Sequence, residues 1–169
     1  MRKPLLLTIL FALLMLACPA LAQTTEKAPA LSKAAASKIV QMLEESEHSY
    51  SKSSGNVWVV KFKGNNVPDI GVVVIGTETI VVLVSVIAEK QEFKTTPELM
   101  MKLLRFNDEY DRVKIAIDND GSMIVRLDMT LRISDTKEFK ENVEQVSAAT
   151  DEIYAAMKPF LVPPKKATK

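Results

Sequence analysis

A chain of 169 residues with 22 basic and 21 acidic side chains, 47% hydrophobic, has the size of one domain with one ordinary core. Its formal charge of +1 implies no sizeable attraction to nucleic acid, and its five scattered glycines make no phosphate-cradling loop. A single cysteine and a single histidine offer little material for thiol or imidazole chemistry.

Arg2 and Lys3 precede an apolar run from Leu5 to Ala17, and Ala20, Leu21 and Ala22 form a small, variable, small pattern. Residues 1–22 are therefore expected to be a secretory signal peptide cleaved after Ala22, leaving a periplasmic or secreted bacterial protein. Loss of Arg2 and Lys3 leaves 20 basic against 21 acidic residues, a charge of −1, and loss of Cys18 leaves no thiol for disulfides or catalysis. The rival expectation makes Cys18 the lipid-anchored first residue. Against it, Met15 and Leu16 suit the preceding positions poorly, Pro19 follows directly, and the Ala20 to Ala22 site lies just beyond.

Residues 23–30 read as a polar lead-in and 31–161 as the domain. Leu31 to His48 predicts a helix, with Ala35, Ile39, Met42, Leu43 and Ser46 on one side at helical spacing. The polar cluster Ser51 to Asn56 breaks that pattern, and Trp58, Val60 and Phe62 then alternate as a first strand. A turn through Gly64, Asn65, Asn66 and Pro68 leads to strands over Ile70 to Ile75 and Ile80 to Ala88, joined across Gly76 to Thr79. In the later strand Val81, Leu83 and Ile87 point one way and Ile80, Val82, Val84 and Val86 the other, so both faces call for cover. The stretch from Ile70 to Ala88 is long enough to cross a membrane. The turn at its middle, with Glu78, and its β-branched content predict a buried hairpin and no transmembrane span.

The second helix opens with Thr96 as cap, Pro97 at its first position and Glu98 near the positive end of the dipole, and runs to about Asn107. Leu99, Leu103, Phe106 and Tyr110 make one stripe, while Met100, Met101 and Leu104 widen the apolar arc beyond what one sheet contact needs. Either the helix is wedged inside its own domain, or Met100, Met101 and Leu104 face a second subunit or a client. Val113, Ile115 and Ile117 form the fourth strand, and Asp118, Asn119, Asp120 and Gly121 a tight turn. Calcium ligation by Asp118 and Asp120 would need further oxygen ligands and a distal Glu, where Arg126 and Leu127 stand instead, so these aspartates read as turn chemistry. Met123, Val125, Leu127, Met129, Leu131 and Ile133 then alternate with mostly polar residues as a long half-buried strand. Ser134 and Asp135, with Glu138, cap a last helix running to about Met157. Its stripe is Phe139, Val143, Val146, Ile153 and Met157; Lys140, Glu141, Glu144 and Asp151 fall outside it. Residues 162–169, with Pro163, Pro164 and three lysines, read as a flexible basic tail.

The expected fold is a single α+β domain in the order helix, three strands, helix, two strands, helix, with an antiparallel sheet packed against the helices. In that order, Trp58 to Phe62, and Leu103 to Asn107 leading into Val113 to Asp118, Asp120, Gly121 and the alternating strand, resemble the YbjN-like domain family and the type III secretion chaperones that share its fold. The resemblance implies an α+β sandwich, commonly dimeric, whose members bind protein segments or act in regulation and carry no catalytic constellation. A signal peptide sets this chain apart from secretion chaperones, which work in the cytoplasm. His48 reads as a surface residue at a helix end, and the pairs Glu44 with Glu45 and Asp108 with Glu109 as solvated carboxylates. The expectation is a non-enzymatic, exported protein-binding module, chaperone- or adaptor-like and dimeric, with no cofactor and no metal. Its partner would be a protein segment or a second copy. The alternative is a structural or sensory envelope domain that binds a small apolar ligand.

Overall fold

The computed structural model describes residues 31–162. The expected signal peptide, Cys18, the lead-in and the tail from Pro163 onward lie outside the described residues. Helix α1 (Lys33–Glu45) is followed by four strands, β1 (Tyr50–Ser54), β2 (Val57–Phe62), β3 (Ile70–Gly76) and β4 (Ile80–Ala88). Then come α2 (Pro97–Glu109), β5 (Lys114–Ile117), β6 (Met123–Thr130) and α3 (Thr136–Met157). The strands form one antiparallel sheet in the order β1-β2-β3-β4-β6-β5. The long strand β6 is inserted beside β4, and β5, which precedes it in the chain, becomes the edge.

The α+β fold and its order are those expected, with one strand more. Tyr50–Ser54 lies in what reads as a polar loop, yet it pairs with β2 through Tyr50 opposite Val60 and Ser51 opposite Val59. Backbone hydrogen bonding makes this strand, because the Ser and Lys side chains that face water carry no apolar alternation for a pattern to show.

One sheet face packs against α1 and α3. From α3 come Phe139, Val143, Val146, Ile153 and Met157, all fully buried; from α1 come Ala35, Ile39, Met42 and Leu43. They meet Trp58, Val60, Val72, Val74, Val81, Leu83, Val125 and Leu127, which point inward at every second position of their strands. Caps set both helix starts: Ser32 Oγ accepts from Ala35 N at 3.2 Å, and Asp135 Oδ1 from Glu138 N at 2.8 Å. The hairpin of β3 and β4 replaces any thought of a membrane span, and no helix among the described residues is long and apolar enough to cross a membrane.

Three details differ from the expected pattern. The long strand ends at Thr130, not Ile133, because Thr130 O accepts from Ile133 N at 3.3 Å and Ser134 N at 3.1 Å, closing a turn that leaves Ile133 exposed. Asp151 is not on a solvated face; it is buried beneath the loop between β2 and β3. The outward row of β4 is only partly covered: Val86 is 45% exposed and Ile80 and Val84 are half-buried, while Val82 between them is buried.

Candidate binding surfaces

Helix α2 is fixed at both ends. Thr96 Oγ1 accepts from Leu99 N at 3.1 Å, with Pro97 in the first turn, where its missing N–H costs nothing. Toward the other end Asn107 acts as a surrogate strand for β5: its Oδ1 accepts from Ile115 N at 2.7 Å and its Nδ2 donates to Ile115 O at 3.0 Å. The open N–H and C=O of Ile115 on the edge strand are thereby both satisfied by one side chain. Tyr110, the C-cap, donates its hydroxyl to Glu152 Oε2 at 2.7 Å and so ties α2 to α3. Partial burial, and then this carboxylate, push the phenol well above its ordinary pKa, so it stays a donor.

The three residues expected at a partner surface separate. Met100 is partly buried and packs against the core, alongside the fully inward Leu99 and Leu103. Met101 is 54% exposed and Leu104 63%, on the side of α2 away from the sheet. Beside Met101 an open groove of about 540 Å³ runs along Glu98, Lys102, Arg105, Phe106 and Glu109 to Phe160. Phe160 belongs to the short turn Lys158–Phe160 after α3, and its ring lies 6.0 Å from Lys102 Nζ. That turn is anchored to the segment before α2 by the bridge between Phe93 and Leu161 and by Val162 N donating to Glu92 O at 2.7 Å. Phe160 is the member that sequence reading missed, because only this return of the chain brings it beside α2.

A second polar centre holds the β2 to β3 loop. The Asp151 carboxylate accepts from the backbone N–H groups of Asn66 and Val67, each at 2.8 Å, from Asn65 N at 3.1 Å and from Asn66 Nδ2 at 3.2 Å. Burial by itself raises the carboxyl, but these four donors together outweigh it and hold the group below its ordinary value. Gly64 is required there, since a Cβ would fall 2.3 Å from Asp151 Oδ1. The nest is filled by the chain's own carboxylate, which makes it a joint of the fold and not an anion site.

The remaining polar candidates are also committed locally. Asp118 Oδ1 accepts from Asp120 N at 3.0 Å and Ser122 N at 2.8 Å, while Gly121 takes φ +89°, the turn chemistry expected. His48 is less exposed than its place at a helix end suggests: its ring lies 4.8 Å from that of Phe62, and Nε2 is 3.0 Å from Glu144 Oε1. Among the described residues no group of three His, Cys, Asp or Glu side chains is placed to hold a metal.

The YbjN family model, described as "Putative bacterial sensory transduction regulator", matches residues 37–159, most of the chain and nearly the whole described domain. The chain belongs to the YbjN family. Among solved structures, a crystal structure of YbjN from E. coli is similar at TM-score 0.53 and 14% identity, covering 76% of this chain and 95% of that one. A chain of the heterodimeric ExoU–SpcU complex from the type III secretion system of Pseudomonas aeruginosa is similar at TM-score 0.44 and 16% identity, covering 62% of this chain and 84% of that one. No curated protein matches. YbjN membership accounts for the helix and strand order, and at these identities the likeness to E. coli YbjN is one of fold.

Proposed function

We propose that this YbjN-family chain is a non-enzymatic, exported binding module, chaperone- or adaptor-like, that works as a dimer and holds a protein segment against α2. The observation that carries this reading is the pair Met101 and Leu104, exposed side by side on a helix whose opposite side is core, next to the open groove that ends at Phe160. Methionine and leucine adapt to varied apolar partners, and the flanking Lys102, Arg105, Glu98 and Glu109 offer both signs of charge to a peptide's polar groups. Caps at Thr96 and the Asn107 clamp hold this surface in place before any partner arrives, which lowers the ordering cost of binding.

The test compares the wild type with the double variant Met101→Lys, Leu104→Lys as baits in extract of the host's cell envelope. A partner retained by the wild type and lost by an equally folded double variant is the expected result. Equal retention by both would remove α2 from the account. Small-molecule sensing is the second reading, favoured by the family's description as a sensory transduction regulator. The groove at α2 is open and lined by four charged residues among seven, whereas an apolar ligand needs an enclosed apolar cavity. A shift of Trp58 fluorescence on adding apolar compounds, without any protein partner, would turn the balance toward sensing.

A further inference from the structure

The sheet has a second apolar face outside the core that the helices cover; on it Val82 and Ile124 are already buried by their neighbours, while Val57, Val59, Val73, Ile75, Ile80 and Val84 are half-buried and Val86 is exposed. Strand registers place these residues in transverse rows. One row runs across all six strands as Ser51, Val59, Val73, Val84, Arg126 and Lys114. The next reads Val57, Ile75, Val82 and Asp128, and on the other side Val86 stands opposite Ile124. The centre of the face is thus a β-branched patch over β2, β3 and β4 that reaches Ile124 on β6, bordered by Lys61 on β2, opposite Gly71, and by Arg126 and Asp128 on β6, where Arg126 Nε meets Asp128 Oδ1 at 2.9 Å.

We infer that a second copy of this chain packs on that face, sheet against sheet, with helices on both outer sides of the pair. This deepens the dimeric part of the reading above by assigning its interface, and it leaves α2 free for a client. Size supports it: with strands about 4.8 Å apart and outward residues about 6.8 Å apart, six strands by three rows cover about 600 Å² in plan. Side-chain corrugation brings that toward the roughly 800 Å² per partner that a stable interface buries. One added peptide strand would leave most of the patch wet.

The face is also complementary to itself. Rotation by a half turn about an axis between β3 and β4 reverses each row on the opposing copy, as aligned sheet packing requires. Val73 then meets Val84 of the second copy, Ile75 meets Val82, and Lys114 meets Ser51 instead of another cation, while the ion-paired Arg126 and Asp128 lie over Val59 and Val57 with the Arg126 stem against apolar surface. Two positions along, Gly71 leaves a recess on β3 where Val86, 45% exposed, projects from β4 of the second copy. A net charge near zero opposes such pairing little.

Light scattering and sedimentation on the protein as its host accumulates it decide the matter. The expected mass is that of two copies. Val84→Lys puts an unpaired ammonium at the centre of the patch and is expected to raise the dimer dissociation constant by about 100-fold or more, with native circular dichroism. Gly71→Gln is the second variant, chosen because a Cβ there meets only Val59 Cγ1 at 3.5 Å, so the monomer tolerates it while the recess is filled. Met101→Lys should leave the mass at two copies. A wild-type monomer at about 100 µM overturns the inference. So does a dimer that survives both sheet-face variants, or one that only Met101→Lys dissolves, which would place the second copy on α2. Client capture that Met101→Lys leaves intact, with the mass still at two copies, would count against the α2 reading alone.

Discussion

The two faces of the sheet are built from nearly the same residues and meet different fates. Val74 and Leu83 point inward and are fully buried; their chain neighbours Val73 and Val84 point outward and stay half-exposed. Only α1 and α3 separate the two cases, because their apolar stripes can cover one face and no described element is left for the other. Apolar residues on both sides of a strand therefore state that two covers are wanted, without stating that both come from the same chain.

The largest effect expected follows from this contrast. Leu83→Ala removes a fully buried side chain between α3 and the sheet and should lower unfolding free energy by about 2–5 kcal/mol in urea titration. Val84→Ala, one residue along and outward, should cost under about 1 kcal/mol in the monomer. Similar losses at both positions would mean that the outer face is already packed against something in solution.

The contrast also shows what was legible in the sequence. The α3 stripe, the Thr96 and Asp135 caps and the turn at Asp118 to Gly121 depend on residues within a few positions of one another, and the folded chain keeps them. Strand β1 did not show, because its pairing to β2 is a backbone event in a Ser-rich segment. The role of Asp151 did not show either, since its donors at Asn65, Asn66 and Val67 stand more than 80 residues away. At the candidate surface, the wide apolar arc of α2 pointed to Met101 and Leu104, while the retreat of Met100 into the core and the arrival of Phe160 depend on tertiary packing.

Asp151 yields the next effect in size. Asp151→Ala leaves three backbone donors unpaired under the β2 to β3 loop and should cost about 1–3 kcal/mol. The folded pKa lies below the unfolded one, so the carboxylate's contribution is present above the ordinary value of about 3.9 and is lost as pH falls through the lower folded value. Acid titrations of the wild type and of Asp151→Asn should therefore converge below that range and diverge above it. Parallel curves would show that the nest does not depend on charge. Smaller again is Thr96→Ala, which removes the α2 cap and should cost about 1 kcal/mol. Hydrogen exchange should report it as faster opening of α2 with α3 unchanged.

The smallest stability effect is expected where the functional effect should be largest. Leu104 is 63% exposed and is not among the residues packed on the core, so Leu104→Lys should change unfolding free energy by no more than about 0.5 kcal/mol. An exposed leucine kept on a helix already well supplied with buried ones, Leu99 and Leu103, contributes little to the fold by being apolar. The proposed reading gives it a use in a complex. If Leu104→Lys instead destabilised the isolated protein by more than about 1 kcal/mol, the side chain would be part of the fold after all, and α2 would lose its standing as a free surface.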